Sequence, residues 1–187
     1  MKNFEGFSLS PVLTKSLARM NYTVPTPIQQ KAIPLALQGR DILGSAQTGT
    51  GKTAAFSIPL IEMLLNTEKD LAIVLTPTRE LAKQVLEAIQ GFLGEQRGIK
   101  TAFIIGGEPI AKQLTQLRAR PRIIVGTPGR INDHLERGSL KLHNARYLVL
   151  DETDRMLDMG FGVQLDKILR FLPAKRQTLM FSATLPV

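Results

Sequence analysis

A segment early in the chain, residues 46–53, has the residue types and spacing of a loop that holds phosphate groups. It runs Ala-Gln-Thr-Gly-Thr-Gly-Lys-Thr and matches the pattern GxxxxGK[ST] except for alanine at the first glycine. The two remaining glycines let the backbone turn its N–H groups toward phosphate oxygens. Lys52 offers a cation to the β- and γ-phosphates, and Thr53 offers a hydroxyl to Mg²⁺. We expect triphosphate contacts from Ala46, Gln47, Thr48, Gly49, Thr50, Gly51, Lys52 and Thr53.

An acidic segment, Asp-Glu-Thr-Asp at residues 151–154, directly follows a short apolar run. Asp151, at the end of a buried strand, can reach Mg²⁺ directly or through water. Glu152 can orient or deprotonate an attacking water, which would make the site hydrolytic. We therefore expect Lys52, Asp151 and Glu152 to be catalytic, and Thr53 and Asp151 to hold Mg²⁺. The alternatives are a glycine-rich turn that caps an ordinary helix, and an acidic cluster that caps the next one.

Short apolar runs that are often β-branched predict the strands that position these segments. Because the runs are apolar on both faces, they favour strands buried between two layers of helices. They lie at residues 41–45, 71–75, 102–105, 123–125, 147–150 and 178–181.

Helical periodicity fills the stretches between these runs. Apolar stripes with i, i+3/i+4, i+7 spacing occupy residues 81–92, 110–117 and 161–172. Two more helices are expected before the first strand, at about 10–20 and 26–37, and Pro59 predicts a kink or an interruption in the helix after the phosphate loop. The alternation predicts an α/β fold of three layers, a P-loop domain with a mostly parallel central sheet flanked by helices. Ligands of such sheets bind at the carboxyl ends of the strands.

Composition narrows the class of protein. The 187 residues include 43% hydrophobic and 21% charged residues, which excludes disordered, collagen-like and coiled-coil chains. There is no cysteine and there are only two histidines, so thiolate and histidine-rich metal sites are excluded. No apolar run approaches a membrane span or a secretory signal, and we expect a cytoplasmic protein. The net charge of +8 points to an anionic partner.

Seven short patterns follow one another along the chain. They are Val-Pro-Thr-Pro-Ile-Gln at 24–29, the phosphate loop at 46–53, Pro-Thr-Arg-Glu-Leu-Ala at 77–82, Gly-Gly at 106–107, Thr-Pro-Gly-Arg at 127–130, Asp-Glu-Thr-Asp at 151–154 and Ser-Ala-Thr at 182–184. In this order they resemble the Q motif, motifs I and Ia, the double glycine, and motifs Ib, II and III of the DEAD-box ATP-dependent RNA helicases. The resemblance covers nearly the whole chain and implies an N-terminal RecA-like domain that uses ATP and Mg²⁺.

The resemblance also implies roles for individual residues. Gln29 would bind the adenine edge with both sides of its amide, and Phe4 would stack on the adenine ring, unless Phe4 only packs on the domain surface. Single-stranded RNA would be held along its sugar-phosphate backbone, largely without sequence preference. The residues implied in RNA binding are Thr78, Arg79, Gly106, Gly107, Thr127, Gly129 and Arg130. For the two arginines the alternative is a structural ion pair, with Arg79, next to Glu80, the stronger candidate.

Motif III would link the ATP and RNA sites. We expect the hydroxyls of Ser182 and Thr184 to bond the carboxylates of motif II, with Asp154 as the chosen partner; the alternative is that they only cap backbone groups. The chain departs from the family pattern at Thr153, where alanine is usual, and at Asn21-Tyr22, where Gly-Phe is usual. The hydroxyl of Thr153 is expected to leave activity intact but to bear on the bonds between motifs II and III.

We expect one N-terminal RecA-like domain at residues 1–187, with residues 1–38 as a Q-motif appendage, and no C-terminal RecA-like domain. In the family that second domain supplies an arginine finger, a group worth roughly 10³–10⁵ in rate. The chain alone is therefore expected to bind nucleotide, hydrolyse ATP slowly and not unwind duplexes. Two alternatives are a nucleotide-gated RNA or protein clamp with negligible turnover, and a P-loop enzyme that acts on DNA or a small phosphoryl acceptor.

Overall fold

The structure, a computed structural model, describes residues 3–184 and is built around a parallel sheet. Its strands are β1 (Ile42–Ser45), β2 (Leu71–Leu75), β3 (Thr101–Ile104), β4 (Ile123–Gly126), β5 (Ala145–Leu150) and β6 (Gln177–Ser182). They lie in the order β1-β6-β5-β2-β4-β3, and every neighbouring pair is parallel. The six strands and the parallel sheet predicted from the apolar runs are confirmed.

Helices cover both faces of the sheet. They are α1 (Pro11–Arg19), α2 (Pro27–Leu37), α3 (Lys52–Leu65), α4 (Arg79–Leu93), α5 (Ile110–Arg118), α6 (Pro128–Arg137), α7 (Thr153–Asp158) and α8 (Gly162–Phe171), preceded by a 3-10 turn at Phe4–Phe7. One apolar core lies between the sheet and helices α1 to α4, and a second lies on the opposite face with α6 to α8. The predicted three-layer α/β fold is therefore confirmed.

Strand β2 shows why the strand sequences are so uniformly apolar. All five of its residues are buried, because it lies between β5 and β4 and has a helical layer on each face. Strands in this position need apolar side chains on both faces. The parallel arrangement also brings the carboxyl ends of all six strands to one edge of the sheet.

Helix α3 corrects one expectation about proline. It runs without interruption from Lys52 to Leu65 with Pro59 inside it. Of the two expected outcomes, the interruption is therefore wrong and the kink stays a prediction. A proline inside a helix costs about 3 kcal/mol because a hydrogen bond is lost. The neighbouring Ile58, Leu60 and Ile61 are fully buried in the core, and burial of each such side chain contributes about 1.5–3 kcal/mol. Tertiary packing therefore holds this helix together.

The two helices expected before the first strand are also present. A chain of edge-to-face aromatic contacts fastens this region to α4: Phe4 to Phe7 and to Tyr22, and Tyr22 to Phe92, with ring centroids 5.4–5.9 Å apart. Such pairs add about 0.5–1.5 kcal/mol each beyond their buried area. Within residues 3–184, no helix is long and apolar enough to cross a membrane.

Candidate nucleotide and nucleic-acid site

The ammonium of Lys52 and the carboxylates of Asp151 and Glu152 form one buried charge cluster. Lys52 begins α3, directly after the loop that follows β1, and Asp151 directly follows β5. Nζ of Lys52 lies 3.0 Å from Oδ1 of Asp151 and 3.9 Å from Oε1 of Glu152. Residues about a hundred positions apart in sequence thus meet at the carboxyl edge of the sheet, as motifs I and II require.

Asp151 has the environment of a metal ligand. Its side chain is fully buried; Oδ1 is paired with the ammonium of Lys52, while Oδ2 has no hydrogen-bond partner within residues 3–184. Burial raises the pKa of Asp151, and the neighbouring charge of Lys52 opposes that rise only in part. A hard cation such as Mg²⁺ prefers oxygen ligands of this type. These residues fit the ion, and the hydroxyl-bearing Thr53 is one residue after Lys52.

Residues 3–184 do not surround the ion with a set of carboxylate or histidine ligands. Within residues 3–184, no three His, Cys, Asp or Glu side chains are grouped to hold a metal. Mg²⁺ commonly takes one or two carboxylates and completes its shell with water and substrate phosphates. Asp151 would supply one such carboxylate.

Glu152 is held in an unusual backbone conformation. Its φ of 53° and ψ of 53° are left-handed, and it serves as the N-cap residue of α7. Non-glycine residues in this region cost of order 1–3 kcal/mol and cluster at functional sites. Its side chain keeps some solvent exposure, with Lys52 on one side and Arg155 at 3.9 Å on the other. The carboxylate can therefore contact water, as a general base must.

The phosphate loop is shaped by close packing against the Q motif. Gly51 has a φ of +83°, and a Cβ added there would collide with the side chains of Gln29 and Thr26. Only glycine adopts this positive φ readily and also has no Cβ to collide with these side chains. Beside the loop lies a cleft of about 790 Å³, within the range of small-molecule sites. Its walls come from the loop, the start of α2, strand β1 and Ala183.

Gln29 is buried and already bonded at both ends of its amide. Its Oε1 accepts from the backbone N–H of Thr26 at 2.9 Å, which completes a capping box at the start of α2. Its Nε2 donates to the carbonyl of Gly51 at 3.1 Å. An amide has a second N–H and a second lone pair, so bidentate adenine binding by Gln29 stays a prediction. The link from helix cap to phosphate loop was not expected from sequence.

Phe4 lies in the aromatic cluster with Phe7 and Tyr22, and it is 6% exposed. It does not line the cleft beside the phosphate loop. The structure thus gives Phe4 the packing role that was the alternative to stacking. Adenine stacking by Phe4 stays a prediction that would require the ring to leave these contacts.

Motifs II and III are joined through Thr184 and Asp154. Oδ2 of Asp154 accepts from the hydroxyl of Thr184 at 3.0 Å and from its backbone N–H at 3.1 Å. The hydroxyl of Ser182 donates to the carbonyl of Thr184 at 2.8 Å. Asp154 is thus the partner that was expected, while the Ser182 hydroxyl caps the backbone of the same segment.

The hydroxyl of Thr153, which the usual alanine lacks, hydrogen-bonds to the backbone of the sheet. The hydroxyl lies 3.4 Å from the carbonyl of Leu150 and 3.3 Å from that of Phe181, and the side chain is buried. It therefore joins the ends of β5 and β6 and does not compete for Asp154. This contact explains how motif II accommodates threonine.

The RNA-binding residues expected from the resemblance lie on neighbouring strand ends. Strands β2, β4 and β3 are adjacent in the sheet, so the loops after them lie side by side. The guanidinium of Arg79 packs against the double glycine; a Cβ on Gly107, whose φ is +83°, would collide with it. The hydroxyl of Thr78 accepts from the N–H of Leu81 and caps α4.

The ion-pair alternative applies to Arg130 and not to Arg79 among the described residues. Within residues 3–184, exposed Arg79 forms no ion pair with Glu80 or any other acid. Arg130 instead lies 3.6 Å from Asp133 and donates to the carbonyl of Glu108 at 2.8 Å. The suggestion that Arg79 is the structural ion pair is therefore wrong, because the guanidinium is directed at the double glycine.

Thr127 and Gly129 lie at the start of α6. Thr127 is the N-cap residue, and there is open space beside Gly129. Helix N-termini attract phosphate because their N–H groups are free and the dipole is positive there. This end of α6 therefore suits a backbone phosphate, and RNA contacts by these residues stay a prediction.

A buried polar pair next to these loops was missed by the sequence reasoning. Gln113 of α5 and His134 of α6 are both fully buried and hydrogen-bonded to each other. The available signal was Gln113 itself, a polar residue on the apolar stripe formed by Ile110, Leu114 and Leu117. For His134, nothing in the sequence distinguished a buried from an exposed histidine.

Comparison with known proteins agrees with this geometry. A family model described as "DEAD/DEAH box helicase" matches residues 26–187. The "ATP-dependent rRNA helicase RRP3" of Candida albicans is 50% identical over 186 residues, which are 98% of this chain and 35% of that protein. The "DEAD-box ATP-dependent RNA helicase CshA" of Geobacillus kaustophilus is 48% identical over 187 residues, or 100% of this chain and 40% of that protein.

A solved structure is similar over the whole chain. The crystal structure of a DEAD box protein from the hyperthermophile Methanococcus jannaschii has a TM-score of 0.94 and 44% identity, and the match covers 100% of this chain and 51% of that one. The chain spans between a third and two-fifths of the length of the two curated relatives. The motifs, the parallel sheet and these matches agree, and the chain is the N-terminal RecA-like domain of a protein of the DEAD/DEAH box helicase family.

Proposed function

We propose that the chain is the ATP-binding domain of an ATP-dependent RNA helicase that hydrolyses ATP to remodel or locally unwind RNA. The observation that carries this proposal is the cluster in which Lys52 lies 3.0 Å from Asp151 and 3.9 Å from Glu152. It combines a cation for phosphate, a carboxylate for Mg²⁺ and a base for water at one strand edge. Relatives named as ATP-dependent RNA helicases support the same activity.

For hydrolysis, each residue has a separate task. Lys52 and the N–H groups around Gly51 bind the β- and γ-phosphates, where negative charge develops. Asp151 and Thr53 would hold Mg²⁺, which would neutralise phosphate charge when bound. Glu152 orients the attacking water and accepts its proton.

We also propose that the contact between Thr184 and Asp154 couples the ATP site to the RNA site. Their paired hydrogen bonds connect the chain after β6 to motif II. Any movement of motif II on nucleotide binding would therefore pull on motif III. RNA would lie across the ends of β2, β4 and β3 and be held by Thr78, Arg79, Gly106, Gly107, Thr127, Gly129 and Arg130.

We further propose that residues 1–187 form one domain with residues 1–38 as the Q-motif appendage. The relatives are two to three times longer than the matched region, so a second domain of the whole protein could complete the site. A cytoplasmic location stays a prediction from composition.

Nucleotide titration of the chain tests the proposal. With Mg²⁺ present, fluorescent ATP should bind more tightly than fluorescent GTP, because Gln29 is positioned beside the phosphate loop. Lys52→Ala should weaken ATP binding at least about tenfold, as expected when a charge-assisted contact is lost. Lys15→Ala, at an exposed position of α1, is the control and should bind as the unaltered chain does. Equal loss in both variants would refute the site, and equal ATP and GTP affinity would refute the role of Gln29.

A further inference from the structure

Gln113 occupies the most buried position of helix α5. It is the only residue of that helix that is buried, and its exposed fraction is 0%. Burying an amide is costly unless its hydrogen bonds are made, and an apolar side chain would normally fill such a position. The contacts of this amide therefore decide what the residue does.

One side of the amide holds the loop that contains the double glycine. Nε2 of Gln113 donates to the carbonyl of Ile105 at 2.7 Å, and Ile105 directly precedes Gly106. The bond is short and buried, so it fixes the point at which the chain leaves β3 and enters the loop. Gly107, two residues later, has a φ of +83° and packs against Arg79.

The other side of the amide holds the first turns of helix α6. Oε1 of Gln113 lies 2.7 Å from Nε2 of His134 and 3.2 Å from Nη1 of Arg130. Because the amide nitrogen faces a carbonyl, Oε1 must accept, and Nε2 of His134 carries the proton. Nδ1 of His134 then accepts from the hydroxyl of Ser139 at 2.7 Å. Arg130 also donates to the carbonyl of Glu108 at 2.8 Å, so the same group touches loop and helix.

We propose that Gln113 is a positioning residue for RNA binding, which fastens the double-glycine loop to the N-terminal end of α6. The inference rests on the proposed function, in which these two segments contact the sugar-phosphate backbone. A fixed spacing between them means that less order has to be imposed when RNA binds. Gln113 itself does not touch RNA in this account; it acts through the backbone of 105–109 and through Arg130 and His134.

The test compares two glutamine variants of the same helix. Gln113→Met removes both the donor to Ile105 and the acceptor for His134 and Arg130 at nearly constant side-chain size. The matched control is Gln116→Met. Oε1 of Gln116 accepts from the N–H of Phe103 at 2.7 Å, so this variant also loses a partly buried hydrogen bond between α5 and the backbone but leaves the loop untouched. Affinity for a labelled single-stranded oligouridine and for ATP, and amide hydrogen exchange, are measured on the whole chain.

We expect Gln113→Met to weaken RNA binding about fivefold or more, as when a buried hydrogen-bond partner is lost, with ATP affinity within about twofold of the original. Amides of residues 106–108 should exchange faster in Gln113→Met, and the amide of Phe103 in Gln116→Met. If Gln113→Met does not fold, Gln113→Glu keeps the acceptor for His134 and Arg130 but loses the donor to Ile105, and the same loop amides should exchange faster.

Equal weakening of RNA binding in both methionine variants would overturn the proposal, and so would a parallel fall in ATP affinity. Unchanged exchange of residues 106–108 would overturn it whatever the RNA titrations give. Absence of RNA binding by the unaltered chain would instead refute the proposed RNA function. The exchange data and the titration of the unaltered chain thus distinguish the two failures.

Discussion

At the scale of single residues, the surroundings of two motif II carboxylates shift their pKa values in opposite directions. Burial raises the pKa of Asp151, with Lys52 opposing the rise. Burial by itself would raise the pKa of Asp154, but hydrogen bonds from the hydroxyl and the backbone N–H of Thr184 outweigh it and help to lower that pKa. Asp151, whose charged form needs a cation beside it, and Asp154, which is hydrogen-bonded to Thr184, suit different tasks. This difference supports metal binding for the first and coupling for the second.

Glu152→Gln separates water activation from nucleotide binding. The amide keeps the size of the side chain but cannot take a proton, so we expect hydrolysis to fall by about 10²–10⁴ while ATP still binds. Single-turnover hydrolysis and an ATP titration measure the two effects. Glu136→Gln, at an exposed carboxylate of α6 paired with Lys167, serves as the control. Unchanged hydrolysis in Glu152→Gln would show that another group is the base.

The buried His134 makes stability depend on pH. Burial, and then the charges of Arg130 and Arg137, lower the pKa of His134 below its usual value of 6.5, with Asp133 opposing. Between that lowered pKa and 6.5, the unfolded chain binds more protons than the folded one. The free energy of unfolding therefore rises with pH, and the contribution of neutral His134 to stability is lost as the pH falls below 6.5.

We therefore expect the chain to lose more stability between about pH 7.5 and 5.5 than His134→Gln does, since that variant keeps an N–H donor but does not titrate. Urea unfolding at the two pH values gives the comparison. Identical pH dependence of the two proteins would mean that His134 is not the responsible group.

At the scale of elements, strand ends and helix starts generate the site together. Helix α3 begins at Lys52, α4 at Arg79, α6 at Pro128 and α7 at Thr153, each immediately after a strand or a short loop. Free N–H groups and positive dipole ends are therefore gathered at one edge of the sheet. The capping box of α2 adds Gln29 to the same edge, because its amide also bonds Gly51.

Gly126 shows how closely two of these elements approach. A Cβ on Gly126 would collide with the backbone carbonyl of Ile104 in the adjacent strand β3, and backbone cannot move aside as a side chain can. We expect Gly126→Ala to lower the free energy of unfolding by roughly 1–3 kcal/mol, as in other overpacked sites. Chemical denaturation measures the loss. Gly129→Ala, which has open space around it, should change stability far less, and equal losses would contradict the packing argument.

At the scale of the whole molecule, the chain carries a net charge of +8 and about a third to two-fifths of the length of its curated relatives. Charge of this sign favours a polyanion such as RNA, and backbone contacts make such binding strongly dependent on salt. In the proposed mechanism, the cluster of Lys52, Asp151 and Glu152 supplies the groups for the ion and the attacking water. The family resemblance implies that an arginine finger comes from a second RecA-like domain.

The rate of ATP hydrolysis by the chain should therefore be far below that of a longer protein that contains it. An arginine finger is worth roughly 10³–10⁵ in rate, so we expect a deficit of that order at saturating ATP and RNA. Phosphate release by the chain and by the longer protein provides the measurement. Equal rates would show that residues 1–187 carry the whole catalytic apparatus.

Patterns of local origin could be predicted from the sequence. The six strands, the helical stripes and the three-layer fold follow from backbone geometry, which imposes a period of 2 or 3.6 on side chains and so leaves a visible trace. The meeting of Lys52 and Asp151 was also predictable, because parallel strands bring their carboxyl ends to one edge.

Other features depended on contacts between distant parts of the chain. Four of these features leave no trace in local periodicity. They are the burial of Phe4 against Tyr22, the two hydrogen bonds of Gln29, the ion pair of Arg130 and the continuity of α3 through Pro59. The tie from Gln113 to Ile105 and His134 joins a loop and two helices, and its partners are chosen by packing. Tertiary structure decides such contacts, because a polar group can be buried only where the fold brings it a partner.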